Sequence, residues 1–131
     1  MRHAFAAGFL ALFAISAAAE EVDLKSLEWV ARPVVVFADS PRDPRFIEQM
    51  EDFASRQPEL EERDVIVLTD TDPNAMGPLR KKLRPRGFNL ILIGKDGGIK
   101  LRTPHPIEVD ALNRHIDRMP MRRREMDGGQ G

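Results

Sequence analysis

Pro33-Val34-Val35-Val36-Phe37-Ala38 is the stretch whose reading decides the fold. The run is continuous and apolar, too short for a buried helix, and rich in β-branched side chains, so it reads as a central strand covered on both faces. Immediately after it, Ser40-Pro41-Arg42 turns the chain, and Asp43-Pro44 supplies a capping carboxylate followed by proline at the first helical position. Phe46, Ile47, Met50, Phe53 and Ala54 then recur at helical spacing, with Glu48, Gln49, Glu51 and Asp52 on the other face, so one stripe is expected to pack on the sheet.

Pro58 is expected to stop that helix, and a charged segment from Glu59 to Arg63 leads into Asp64-Val65-Ile66-Val67-Leu68-Thr69, a second buried strand. Strand, helix and strand of this size make a βαβ unit. A loop over Asp70 to Asn74 and a short basic helix over Pro78 to Leu83 precede a third strand, Phe88 to Ile93. Lys95-Asp96-Gly97-Gly98 is a hairpin turn, and Ile99-Lys100-Leu101-Arg102 alternates as an edge strand with one wet face. A last helix, Ile107 to Met119, carries Ile107, Leu112, His115, Ile116 and Met119 inward, and the tail from Arg122 to Gly131 is expected to fray. The order β-α-β-α-β-β-α is an α/β layout of thioredoxin-like type, with a central four-stranded mixed sheet in strand order 2-1-3-4.

N-terminal to all of this, Arg2-His3, the apolar stretch Ala4 to Ile15 and Ser16-Ala17-Ala18-Ala19 follow the n-region, h-region and cleavage-site order of a secretory signal. The apolar run is shorter than the roughly 20 residues a membrane span needs. The expected organisation is a signal over 1–19, one domain over 20–121 and a basic tail over 122–131. The product is expected to be exported, periplasmic in a Gram-negative cell and otherwise secreted, with no membrane span after cleavage. No cysteine occurs in the 131 residues, which excludes disulfide scaffolds, CxxC redox chemistry, peroxidatic thiols and thiolate zinc sites. Charge is lopsided: Glu20 to Gly77 carries 15 acids against 6 bases, and Pro78 to Gly131 carries 13 bases against 6 acids. Two halves of one fold neutralising each other, or an anion-binding half, both follow from that asymmetry.

Val34 to Ala38, Arg63-Asp64, Ile93 to Lys100 and especially Ile116-Asp117-Arg118-Met119-Pro120-Met121-Arg122 resemble the DUF4174 family of small exported bacterial proteins. That family is similar to domains of secreted animal proteins of the coiled-coil-domain-80 and sushi-repeat type, grouped with peroxiredoxin-like, thioredoxin-fold proteins. The resemblance implies the fold and, through that kinship, a redox-associated role as an alternative. Laid on the thioredoxin pattern, Arg42-Asp43-Pro44-Arg45 stands where CxxC would, and Asn89 stands where a cis-proline would. Arginine cannot replace a thiolate nucleophile, so the resemblance argues for the scaffold and against its chemistry.

One end of the expected sheet stands out as a site. The first helix should present free N–H groups and a positive dipole end there, beside Arg42 and Arg45, and the topology brings Arg84, Arg86, Arg102 and His105 toward the same edge. An anionic small ligand or a protein partner would fit, without a cofactor. Asp39, Asp70 and Asp72 fall at the same end, so an ion-pair cluster is the competing expectation. Asp70-x-Asp72-x-Asn74 imitates the start of a calcium loop but lacks its sixth and twelfth residues. Met119 and Met121, with His105, offer Cu(I) ligands, although Met119 also continues the apolar stripe of the last helix. Ser40 lacks a nucleophile elbow, and one short arginine run without interleaved aromatics is a poor nucleic-acid footprint, so neither a serine hydrolase nor nucleic-acid binding is expected.

Overall fold

The computed structural model describes residues 23–128, and the expected signal segment and residues 129–131 lie outside them. Four strands form one sheet in the order β2-β1-β3-β4: β1 (Arg32–Phe37), β2 (Val65–Asp70), β3 (Asn89–Ile93) and β4 (Ile99–Thr103). β1 runs parallel to β2 and antiparallel to β3, which pairs antiparallel with β4. The helices are α1 (Pro44–Ser55), α2 (Gln57–Glu62), α3 (Pro78–Leu83), α4 (Val109–Asp117) and α5 (Pro120–Gly128), with 3-10 turns at Leu24–Leu27 and Pro73–Ala75.

All six residues of β1 are buried, as the apolar run requires. Its side chains divide between two cores. Val34 and Val36 pack with Phe53, Leu60, Leu112 and Ile116, whereas Val35 and Phe37 pack with Leu68, Leu79, Leu83 and Ile91. β4 alternates from Lys100 to Thr103, but Ile99, expected on the dry face, is exposed beside a register shift between Leu92 and Ile93. The hairpin before it turns at Gly97, whose φ of 85° is the left-handed conformation glycine adopts without strain.

Three further expectations need correction. Pro58 does not end helical structure: α1 closes at Ser55, and Pro58 sits in the first turn of the separate helix α2, where its missing N–H costs nothing. Gln49, read as solvent-facing, is buried and binds the Ile107 backbone twice, accepting from its N–H at 2.8 Å and donating to its carbonyl at 2.9 Å. The tail is helical through Gly128 rather than frayed. It carries little apolar surface, so its docking is ionic.

That docking reaches back to the first residue of β1. Arg32 is 1% exposed, donates to the Arg63 carbonyl at 2.8 Å and forks onto both carboxylate oxygens of Glu125 at 3.2 and 3.1 Å. Lys95 also holds Glu125, at 2.8 Å. Buried Arg122 meets Asp117 and Glu62, and Asp117 in turn takes a fork from Arg63. Burial pushes the Glu125 carboxyl up, but the bonds from Lys95 and Arg32 outweigh it and hold it below its ordinary value. The Asp117 carboxyl is held down chiefly by Arg63, against burial and with help from Arg122.

Glu125→Ala therefore leaves Arg32 buried without its carboxylate, and urea unfolding should show a loss of about 3 kcal/mol with an unchanged m-value. Both carboxyls titrate lower when folded than when unfolded. Their contribution is present above the unfolded values and lost as pH falls through the folded ones, so stability should decline from about pH 5 downward. The Glu125→Ala variant should show a shallower decline.

Candidate functional site

The register puts the ends of β1 and β2, the start of β3 and the end of β4 together: Phe37 faces Asp70 on one side and Asn89 on the other, and Leu90 faces Thr103. α1 starts from the same end of the sheet, because it follows β1 after a short turn. Asn89 ties this end together. Its Oδ1 accepts from the Arg86 N–H at 3.4 Å and its Nδ2 donates to the Thr103 carbonyl at 3.3 Å, while Thr103 Oγ1 accepts from the His105 N–H at 3.2 Å. Arg86, Asn89, Thr103 and His105 thus form one string of contacts.

Arg45 does not reach outward freely. Its Nε and Nη2 bind the Asp43 carboxylate at 3.1 and 2.8 Å, and its guanidinium lies 5.6 Å from the centre of the Phe88 ring. Asp43 also accepts from the Arg45 backbone N–H at 2.9 Å. The cap of α1 therefore occupies the place expected for an anion, and the Arg45 bond holds the Asp43 carboxyl below its usual range. Arg42, Arg84, Arg86, Arg102 and His105 are all exposed. Arg84 ends α3 in the left-handed conformation, at φ 53°, directly after Leu83, which lines a cavity with Pro33 and Ile93 at the other end of the sheet, so Arg84 is not brought to this end as expected. Arg102 stands opposite Ile91, on the face away from the core that holds Leu101.

Nor do the three aspartates neutralise these arginines. Asp70 is taken by Arg80, and neither Asp39 nor Asp72 makes an ion pair among the described residues. Arg80 is the residue the sequence reading missed. It is buried, donates through Nη2 to Asp70 Oδ1 at 3.0 Å and to the carbonyls of Ala38 and Asp70 at 3.3 and 3.2 Å, and lies 5.2 Å from the centre of the Phe37 ring. Its neighbours Leu79 and Leu83 mark the inward side of α3, which was the available signal. This pairing also removes Asp70 from any calcium loop. Met119 packs against the core, and α5, which follows it, docks at the start of β1, the opposite end of the sheet from His105, so the Cu(I) ligand set is not assembled. Among the described residues no group of three or more His, Asp or Glu could hold a metal ion. No helix among them is long and apolar enough to cross a membrane.

Cavities indent the surface of the described residues. One of about 450 Å³ lies between α1 and the segment Pro106 to Asp110, one of about 170 Å³ lies beside Leu24, Leu27 and Ile93, and one of about 220 Å³ adjoins the end of β2. None of these three is lined by Arg42, Arg45, Arg84, Arg86, Arg102 or His105. Because Arg80 pairs with the buried Asp70 carboxylate, Arg80→Leu should cost about 3 kcal/mol by stranding it, and adding Asp70→Asn should recover part of the loss in thermal unfolding.

The fold is that of known thiol peroxidases. The reduced 2-Cys peroxiredoxin of Plasmodium vivax superposes with a TM-score of 0.61 at 12% identity, over 73% of this chain and 81% of that one. Prx1a and thioredoxin peroxidase I of Plasmodium yoelii give 0.58 and 0.55 at 14% and 16% identity, each over 82% of both chains. Identities this low establish a shared thioredoxin-like architecture only. No curated protein matches the chain. The profile of a domain of unknown function, DUF4174, matches residues 23–125, and the chain belongs to that family.

Proposed function

We propose that this chain is an exported, non-catalytic binding module that uses the arginine-bearing end of a thioredoxin-like sheet to recognise an anionic group, on a small ligand or on a protein partner. One observation carries the reading. Arg42, Arg84, Arg86 and Arg102 are exposed and make no ion pair among the described residues, whereas the buried and half-buried arginines Arg32, Arg56, Arg63, Arg80 and Arg122 are each matched with a carboxylate. The remaining exposed arginines other than Arg45, namely Arg114, Arg118, Arg123 and Arg124, belong to the C-terminal helices and the turn between them. Of the first group, Arg86 is tied through Asn89 to the end of β4 that carries Arg102, and Arg42 precedes α1 at the same end of the sheet; unpaired guanidinium groups favour a carboxylate or phosphate, which they bind in a fork.

The absence of cysteine removes CxxC and peroxidatic chemistry from this chain, so the scaffold is left with recognition. Because Asp43 already caps α1, the anion would be met by side chains and not by the helix tip. Export rests on the signal-like order of Arg2 to Ala19.

Titration of labelled protein with inorganic phosphate, acetate and heparin should move the amides of Arg42, Arg86 and Arg102 to His105, with heparin binding weakening as salt rises. The double variant Arg42→Glu, Arg86→Glu should weaken heparin binding roughly tenfold or more. Unmoved amides at those positions would end the proposal.

A further inference from the structure

The two edges of the sheet are built differently. β4 is short, is bulged opposite β3 and carries Lys100 and Arg102, which are devices that keep a sheet edge from pairing. β2 has none of them. Val65-Ile66-Val67-Leu68-Thr69-Asp70 has no proline and no basic residue, and its register with β1 is unbroken from Arg32 opposite Val65 to Phe37 opposite Asp70.

The parallel ladder settles which backbone groups are spare. Arg32 N–H donates to the Asp64 carbonyl and Ala38 N–H to the Asp70 carbonyl, so the even-numbered residues of β2 turn toward β1. The N–H and C=O groups of Val65, Val67 and Thr69 point the other way, and among the described residues they have no hydrogen-bond partner. Three donors and three acceptors in line form a template for one more strand.

Charge around that edge selects the occupant. Glu61 and Asp64 stand at its start and Asp72 just past its end. Asp64 also pairs with Lys95, but Glu61 and Asp72 make no ion pair among the described residues. A cavity of about 220 Å³ at the same end is lined by Thr69, Asp70, Asp72 and Gly77. In it the Asp70 carboxylate is buried and spends Oδ1 on Arg80 and on the Asp72 N–H, while Oδ2 accepts no hydrogen bond. A second copy pairing antiparallel through β2 would set Asp64 of one chain near Asp72 of the other, like against like.

We propose that the outer edge of β2 docks an extended segment of a partner protein, with a β-branched centre and lysine or arginine at its ends, as a fifth strand. Main-chain bonds to Val65, Val67 and Thr69 supply affinity, and a basic side chain placed in the cavity beside Asp70 and Asp72 supplies selectivity. The cavity lies at the same end of the sheet as Asn89 and Arg86, but the β2 edge uses none of Arg42, Arg84, Arg86 or Arg102, so its test does not depend on theirs.

The probe is a blocked hexapeptide of alternating valine and threonine flanked by lysine and arginine, compared with the same peptide flanked by two glutamates. On the labelled full domain, the basic peptide should slow hydrogen exchange at Val65, Val67 and Thr69 while leaving Ile66 and Leu68, already bonded to β1, unchanged. It should bind roughly tenfold more tightly than its acidic counterpart. Asp72→Asn leaves its own backbone bond to Asp70 in place and should weaken the basic peptide severalfold. Val67→Pro removes an outward donor without touching the β1 ladder and should abolish binding. Unaltered exchange at those three amides, equal affinity for both peptides, or protection of the same amides by self-association without peptide would each overturn the proposal.

Discussion

β1 lies buried on both faces and bonded along both edges, yet its first residue is an arginine. An apolar strand in that position needs only neighbours, but a guanidinium that is 1% exposed needs a carboxylate brought to it. Glu125 is that carboxylate, and it is delivered by α5 from the far end of the chain. The arrangement explains why Pro120–Gly128 is helical despite its polar composition. It also explains why the closing motif around Asp117 and Arg122 accompanies the sheet: these residues complete the ionic layer under β1.

The other end of the same strand is organised in the opposite way. Arg80 reaches under it to bind Asp70 and the Ala38 carbonyl, which settles the buried charge, while Arg45 is paired with Asp43 and Arg42, Arg86 and Arg102 make no ion pair among the described residues. The thioredoxin-like scaffold carries no cysteine anywhere in its sequence, and Arg42 and Arg45 flank the start of α1. Asp43 caps α1 at the position where such a fold offers its helix tip.

Much of the fold was legible because apolar runs and their spacing carry it. Val34 to Phe37, Val65 to Leu68 and Leu90 to Ile93 are strands in any environment that covers both faces, and Asp43-Pro44 and Gly97-Gly98 mark a helix start and a turn by backbone chemistry alone. What was not legible depends on partners distant in the chain. Gln49 looks solvated until Ile107 arrives to take both ends of its amide, Arg80 looks like one of several surface cations until Asp70 meets it, and the tail looks frayed until Arg32 is known to be buried. Pro58 misled for a different reason, since proline ends one helix and begins another equally well. At the candidate site the sequence names arginines one by one, but not that Asp43 would consume Arg45 while Arg42, Arg86 and Arg102 make no ion pair among the described residues.

What matters most is that a thioredoxin-like domain without a single cysteine carries no thiol chemistry. The most direct test is turnover by the purified protein, measured as hydrogen peroxide consumed with a dithiol reductant and as reduction of insulin disulfides. The account predicts rates indistinguishable from buffer in both assays at any protein concentration. Consumption that scales with protein and survives removal of trace metal would contradict it.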